Sequence, residues 1–337
     1  MPTGINIVVT CSRSKKLDPA AYLSMKNSSS SYLSERCQQW IQSIKQADQE
    51  NLPTLPAREM YSGTTWHAAK RLSTVAKNQG FESTAWIISA GYGLIGENVP
   101  IHSYGAAFSR SASDSISAGL TNEDESNVEK RWWQLLGDWE GPSPGSPRSF
   151  YELAQKYPDR IFLVVLSKSY LKAVDEDLVN ARDILDDPSQ LVIISTGTNS
   201  HSLLSKNLLP SGSDFRGMVG GVLNTLNVRL AEKIILESKQ HAIDSETLNT
   251  IYSKLLDEQP PLTNYNRERL PVGKIEEYIR NAITKNAKAT KTKLLREYRD
   301  EGFACEQKKF YALFGKVSNE LSSNQIRRQE NIKWDSK

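Results

Sequence analysis

The sequence predicts an α/β protein with a doubly wound, mainly parallel sheet, followed by a C-terminal helical domain. Three observations carry that expectation. Four apolar runs are continuous and rich in Ile and Val, the pattern of strands covered on both faces. Segments with helical spacing lie between them, so strands and helices alternate. After Ser195 no strong strand pattern follows, and from Asn224 the chain reads as helix.

The first run, "INIVV" (5–9), is the expected first strand. "SYLSERCQQWIQSIKQAD" (31–48) sets Leu33, Cys37, Trp40, Ile41 and Ile44 on one helical stripe, and "TTWHAAKRLSTVAKNQG" (64–80) ends in a capping glycine. "AWIISA" (85–90) is the second strand, and "GPSPGSPRS" (141–149) is a surface loop. The helix "RSFYELAQKYPDR" leads into the third strand "IFLVVLS" (161–167), "YLKAVDEDLVNARDIL" leaves it, and "LVIIS" (191–195) is the fourth. The amphipathic "LNVRLAEKIILESKQ" (226–240) closes an α/β domain placed at 1–240, with a helical domain at 241–321 and a polar, frayed tail at 322–337.

Bulk properties narrow the function classes. A chain of 337 residues has room for two domains. Cys11, Cys37 and Cys305 lie far apart without a CxxC pair, and four histidines add little, so neither a disulfide framework nor a metal or other cofactor is expected. No apolar run approaches the ~18 residues of a membrane span, and no secretory signal opens the chain. A cytoplasmic protein with no membrane partner is expected. The net charge of +3 is modest but uneven. Between 267 and 316 there are 13 Lys/Arg against 7 Asp/Glu, a surplus of 6.

Within that basic region, "TKTKLLREYRDEGFACEQKKFYALFGKVSNEL" (290–321) reads as two helices joined by a Gly-containing turn. Leu294, Leu295 and Tyr298 face inward on the first, and Phe310, Leu313, Phe314 and Val317 on the second. Helix-turn-helix units have this layout. Lys291, Lys293, Arg296, Lys308 and Lys309 are the expected DNA contacts.

Four polar exits carry the chemistry. In open α/β sheets ligands bind beyond the carboxyl ends of the strands. "TCSRSKKLDPA" (10–20) places Cys11, Ser12, Ser14 and Lys15 there, a mixture of small donors and cations suited to an anion. "PAREMYSGTTW" (56–66) adds Arg58, Tyr61 and Ser62 just before a helix. "ISAGYGLIGENVPIHSYGAAF" (88–108) adds Gly91 for close backbone approach, with Tyr92 and Tyr104 as faces for stacking a base. "STGTNSHSLLSKNLLPSGSDFRGMVGG" (195–221) adds Asn199 and His201. Their convergence on one sheet edge predicts a pocket.

The series "TCSRSKK…PAREMYSG…ISAGYGLI…IHSY" resembles the YaaA-like superfamily, which includes the catalytic-type domain of archaeosine synthase. The resemblance covers about residues 5–108, and the "GGVLNTLNVRLAEKII" and "LLREYRDEGFACEQKKF" segments are similar to those of defence-island relatives. It implies a sheet like that of uracil-DNA glycosylases and a link to nucleic acid. It also implies a function like that of antiphage DNA glycosylases acting on glucosylated hydroxymethylcytosine. The Gln-Asp-Pro-Tyr-His loop of uracil-DNA glycosylases is missing here, so a catalytic carboxylate must come from elsewhere; Glu97 and Asp114 are the candidates.

The expected reaction is metal-independent base excision from flipped-out phage DNA, leaving an abasic site and giving antiviral defence. A carboxylate stabilises the oxocarbenium-like sugar, while Lys15, Arg58 or His201 offsets charge on the departing base. Two other readings stand beside it: a non-catalytic DNA-binding protein using the same cleft, and a tRNA- or nucleobase-processing transferase.

Overall fold

The computed structural model describes residues 4–121, 127–196, 202–238, 245–259, 266–286 and 288–334, with side chains of the last helix to residue 323. In chain order, β1 (Ile5–Thr10) precedes α1 (Leu33–Gln49), β2 (Thr54–Pro56), α2 (Ala57–Met60), α3 (Thr64–Ala69) and α4 (Leu72–Asn78). Then come β3 (Ser83–Ser89), β4 (Gly93–Gly96), β5 (Pro100–His102), α5 (Val128–Gly137) and α6 (Phe150–Lys156). β6 (Ile161–Leu166), α7 (Lys168–Arg182), β7 (Leu191–Ser195) and β8 (Leu208–Pro210) follow, with α8 (Arg216–Val219), α9 (Leu226–Glu237) and α10 (Ser245–Asp257).

The central sheet has six strands in the order β4-β3-β1-β6-β7-β8, all parallel except β4, which runs antiparallel to β3. This is the mostly parallel α/β sheet that the four apolar runs foretold. β1 lies at its centre, with Val8 opposite Trp86 on one side and Val164 on the other. Residues 161–166 are buried throughout, because helices cover both faces and no side chain alternates toward water. From β1 the chain first lays β3 on one flank and later β6 on the other. The carboxyl ends of β1 and β6 therefore form the topological switch point, where such sheets open a crevice.

Several details depart from the sequence reading. The loop expected after the second strand contains β4 and β5, and β5 pairs with β2 in a separate two-stranded sheet. A further strand, β8, pairs with β7 beyond Ser195; three residues ending in proline give too short a signal to read. The stretch 64–80 is two helices broken at Lys70–Arg71.

Two compact units divide the chain, Met1–Pro261 and Leu262–Lys337, so the boundary falls later than 241. The reason is α10, which joins the first unit: the Tyr252 hydroxyl donates to the Pro210 carbonyl at 2.8 Å, and its ring packs on Phe215. The second unit contains α11 (Val272–Lys285), α12 (Lys291–Asp300) and α13 (Gln307–Trp334) around Ile275, Ile279, Leu294, Leu295, Tyr298, Phe310 and Val317. The stretch 322–334, expected as a frayed tail, continues α13. Among the described residues no helix is long and apolar enough to cross a membrane.

Candidate active site at the switch point

The exit from β1 is held by its neighbour along the chain. Cys11 N donates to Ile88 O at 2.9 Å, Ser62 N to Ser14 O at 2.9 Å and Lys16 N to Met60 O at 2.9 Å. The Ser12 hydroxyl donates to Ser62 O at 2.7 Å and accepts from Ser14 N at 3.2 Å. "TCSRSKK" and "MYSG" thus form one ladder-like rim, with Lys15 bridged to Tyr61. Gly63, at φ 92°, makes the turn out of that rim.

Beneath the rim lies a chain of hydroxyls and one thiol. Ser89 Oγ accepts from Gly91 N at 3.2 Å and Tyr92 N at 2.9 Å, so its own hydrogen is left for the Tyr104 hydroxyl at 2.7 Å. Tyr61 meets the same hydroxyl at 3.0 Å, and Tyr104 donates to Cys11 Sγ at 3.6 Å. Cys11 Sγ in turn lies 3.1 Å from the Tyr170 hydroxyl in the first turn of α7. The thiol joins the exit of β1 to α7, the helix that follows β6. Burial pushes the phenols of Tyr61, Tyr104 and Tyr170 well above their ordinary range, so they stay protonated and share hydrogens.

Over this network sits Lys15. Its ammonium lies 3.9 Å from the centroid of the Tyr104 ring and 5.7 Å from that of Tyr61, and it donates to Arg13 O at 3.3 Å. Burial lowers the amine from its ordinary value; its electrostatic interaction with Cys11 and Asp114 opposes the shift, and Arg13 adds to it. The buried Asp114 carboxylate has Arg13 Nη2 3.3 Å from Oδ1. Its loop is fixed by Ala107 N donating to Asp114 O at 2.9 Å and Ile116 N to Ala107 O at 3.0 Å. Cys11, Ser12 and Lys15 are half-buried, and Arg13 and Ser14 exposed, so the rim meets solvent.

The cluster unites Cys11, Ser12, Ser14, Lys15, Tyr61, Ser62, Gly91, Tyr104 and Asp114. Tyr92 and Tyr104 do not serve as expected, because both are buried in edge-to-face packing and present no open face to a base. Gly91 makes room for the Tyr104 ring, which a Cβ would meet at 2.6 Å, rather than for a ligand. Glu97 is not brought to the cluster. β4 reverses direction and carries it back beside Ala85, where its N–H donates to Ala85 O at 3.1 Å and its carboxylate pairs with Arg58 at 3.4 Å. Arg58 is occupied there and by Glu59 at 3.6 Å. Asn199 and His201 lie outside the described residues. Ser89 and Tyr170 escaped the sequence reading, although Tyr170 lies in the first turn of the helix that follows the third of those strands.

In the second unit Lys293, Arg296, Lys308 and Lys309 are exposed, Lys293 within 3.9 Å of Glu297, and Lys291 lies 5.0 Å over the Tyr311 ring. A concavity of about 540 Å³ is lined by Arg267, Arg269, Arg299 and Lys309 together with Cys305 and Glu306. The connection between α12 and α13 spans 301–306, longer than a helix-turn-helix turn of three or four residues. Among the described residues no group of three His, Cys, Asp or Glu is placed to hold a metal ion. Comparison with protein-family models, curated proteins and solved structures finds no match.

Proposed function

We propose that the protein is a DNA glycosylase that flips a modified base, such as glucosylated hydroxymethylcytosine in phage DNA, into the β1/β6 switch point and excises it hydrolytically. The observation that carries this reading is a rim that holds a buried carboxylate, Asp114, through Arg13 and also carries a desolvated amine, Lys15, above proton-sharing hydroxyls. Scission of an N-glycosidic bond passes through a cationic sugar, which Asp114 stabilises electrostatically. Lys15 and the hydroxyl donors of the rim offset negative charge on the leaving base. Because β4 carries Glu97 away from the cluster, Asp114 is the carboxylate on which the proposed reaction rests. The exposed cations of the second unit supply sequence-independent contacts to the DNA backbone.

The test is an abasic-site assay with aldehyde-reactive labelling of unmodified DNA, uracil-containing DNA and glucosylated hydroxymethylcytosine phage DNA. Labelling confined to the phage DNA is expected, and Asp114→Asn lowers it by at least 100-fold while DNA binding persists. Binding without labelling on any substrate would favour a non-catalytic reader of modified DNA.

A further inference from the structure

We propose that Lys15 is a nucleophile, whose amine condenses with the C1′ aldehyde of an opened deoxyribose to form an imine. The substrate class rests on the glycosylase reading above, because excision generates that aldehyde. In the condensation the nitrogen lone pair forms the N–C1′ bond. The carbonyl oxygen leaves as water with the two amine hydrogens, and a C=N bond remains. No oxidant or reductant is required.

The surroundings of Lys15 differ from those of the other partly buried lysines. Lys70 reaches Glu59 at 2.6 Å, and Lys130 reaches Asp175 at 3.0 Å. Even the exposed neighbour Lys16 pairs with Glu59 at 3.1 Å. Lys15 has no ion-pair partner among the described residues; its hydrogen bond is to a backbone carbonyl, and aromatic rings form its seat. An amine that serves only as a structural cation gains from a carboxylate within reach. An amine that must lose its proton to attack carbon is helped by the lack of one, by burial and by a neighbouring cation such as Arg13. Burial does lower the affinity of Lys15 for its proton. Position agrees with this role: the rim ladder fixes the Lys15 backbone against Tyr61, beyond the carboxyl end of β1, where sheets of this kind take their ligands.

The experiment is reductive trapping. The full-length protein is incubated with a duplex carrying a preformed abasic site and sodium cyanoborohydride, and the covalent adduct is resolved on a denaturing gel and mapped by peptide mass spectrometry. A wild-type adduct on the peptide containing Lys15 is expected. Lys15→Arg keeps the charge, so it should bind the abasic duplex within about threefold of wild type while the adduct falls to background. No wild-type adduct, an adduct mapped elsewhere, or one that persists in Lys15→Arg overturns the proposal; the mapping needs no variant to fold. Aldehyde labelling of phage DNA reads base excision separately. Abasic sites without trapping overturn Lys15 and leave the glycosylase, whereas trapping without excision supports Lys15 and removes the glycosylase.

Discussion

The Tyr104 hydroxyl faces three partners, Tyr61, Ser89 and Cys11, as many as one phenol can serve with one donor and two acceptor positions. Tyr104→Phe leaves Ser89 and Tyr61 underserved in a dry environment and should cost about 1–3 kcal/mol in urea unfolding. pH offers a second reading of the same residues. The folded pKa values of Tyr61, Tyr104 and Tyr170 lie above the unfolded value near 10. Their contribution to stability is therefore complete below about pH 10 and is lost as pH rises toward the folded values. Alkaline unfolding should coincide with tyrosinate absorbance, and Tyr104→Phe should shrink that component. Gly91→Ala, which drives a Cβ into the Tyr104 ring at 2.6 Å, should cost roughly 1–3 kcal/mol and weaken the proposed base excision with it.

At the level of elements, the site depends on β4 and its tether. Arg148 donates to Leu94 O at 2.6 Å, Tyr92 O at 2.5 Å, Leu136 O at 3.2 Å and Trp139 O at 3.0 Å, joining β4 and its entry to α5 and the residues after it. Burial lowers its pKa to about 10, so it remains charged at neutral pH. Arg148→Met should strand several buried carbonyls and cost at least about 3 kcal/mol, seen as a lower denaturant midpoint. The same elements mark how far the sequence could be read. The four long strands were legible because a strand buried on both faces needs an unbroken apolar run. β4 was not, since "GLIG" after a glycine-rich turn reads equally well as loop, and only pairing with β3 gives it a direction. That reversal decided which carboxylate belongs to the site, favouring Asp114 over Glu97. The Cys11 exit was legible from topology alone, whereas Tyr170 was hidden inside a helical pattern.

Across the whole molecule, each unit has its own apolar core, and the charge surplus lies in the second. Replacing Lys293, Arg296, Lys308 and Lys309 by Gln should weaken DNA binding alike on every sequence. The slope of log affinity against log salt should become shallower by about 0.9 for each phosphate contact removed. Fluorescence anisotropy across a salt series measures both, and an unchanged slope would exclude this face as the docking surface. The edges of the sheet have a consequence of a different kind. β4 is four residues long and β8 only three, ending in Pro210, which has no N–H to offer. A foreign strand arriving at either margin finds too few backbone partners to pair with. The longer strands β3, β1, β6 and β7 stay paired between them, so the central sheet offers little edge for another chain to extend.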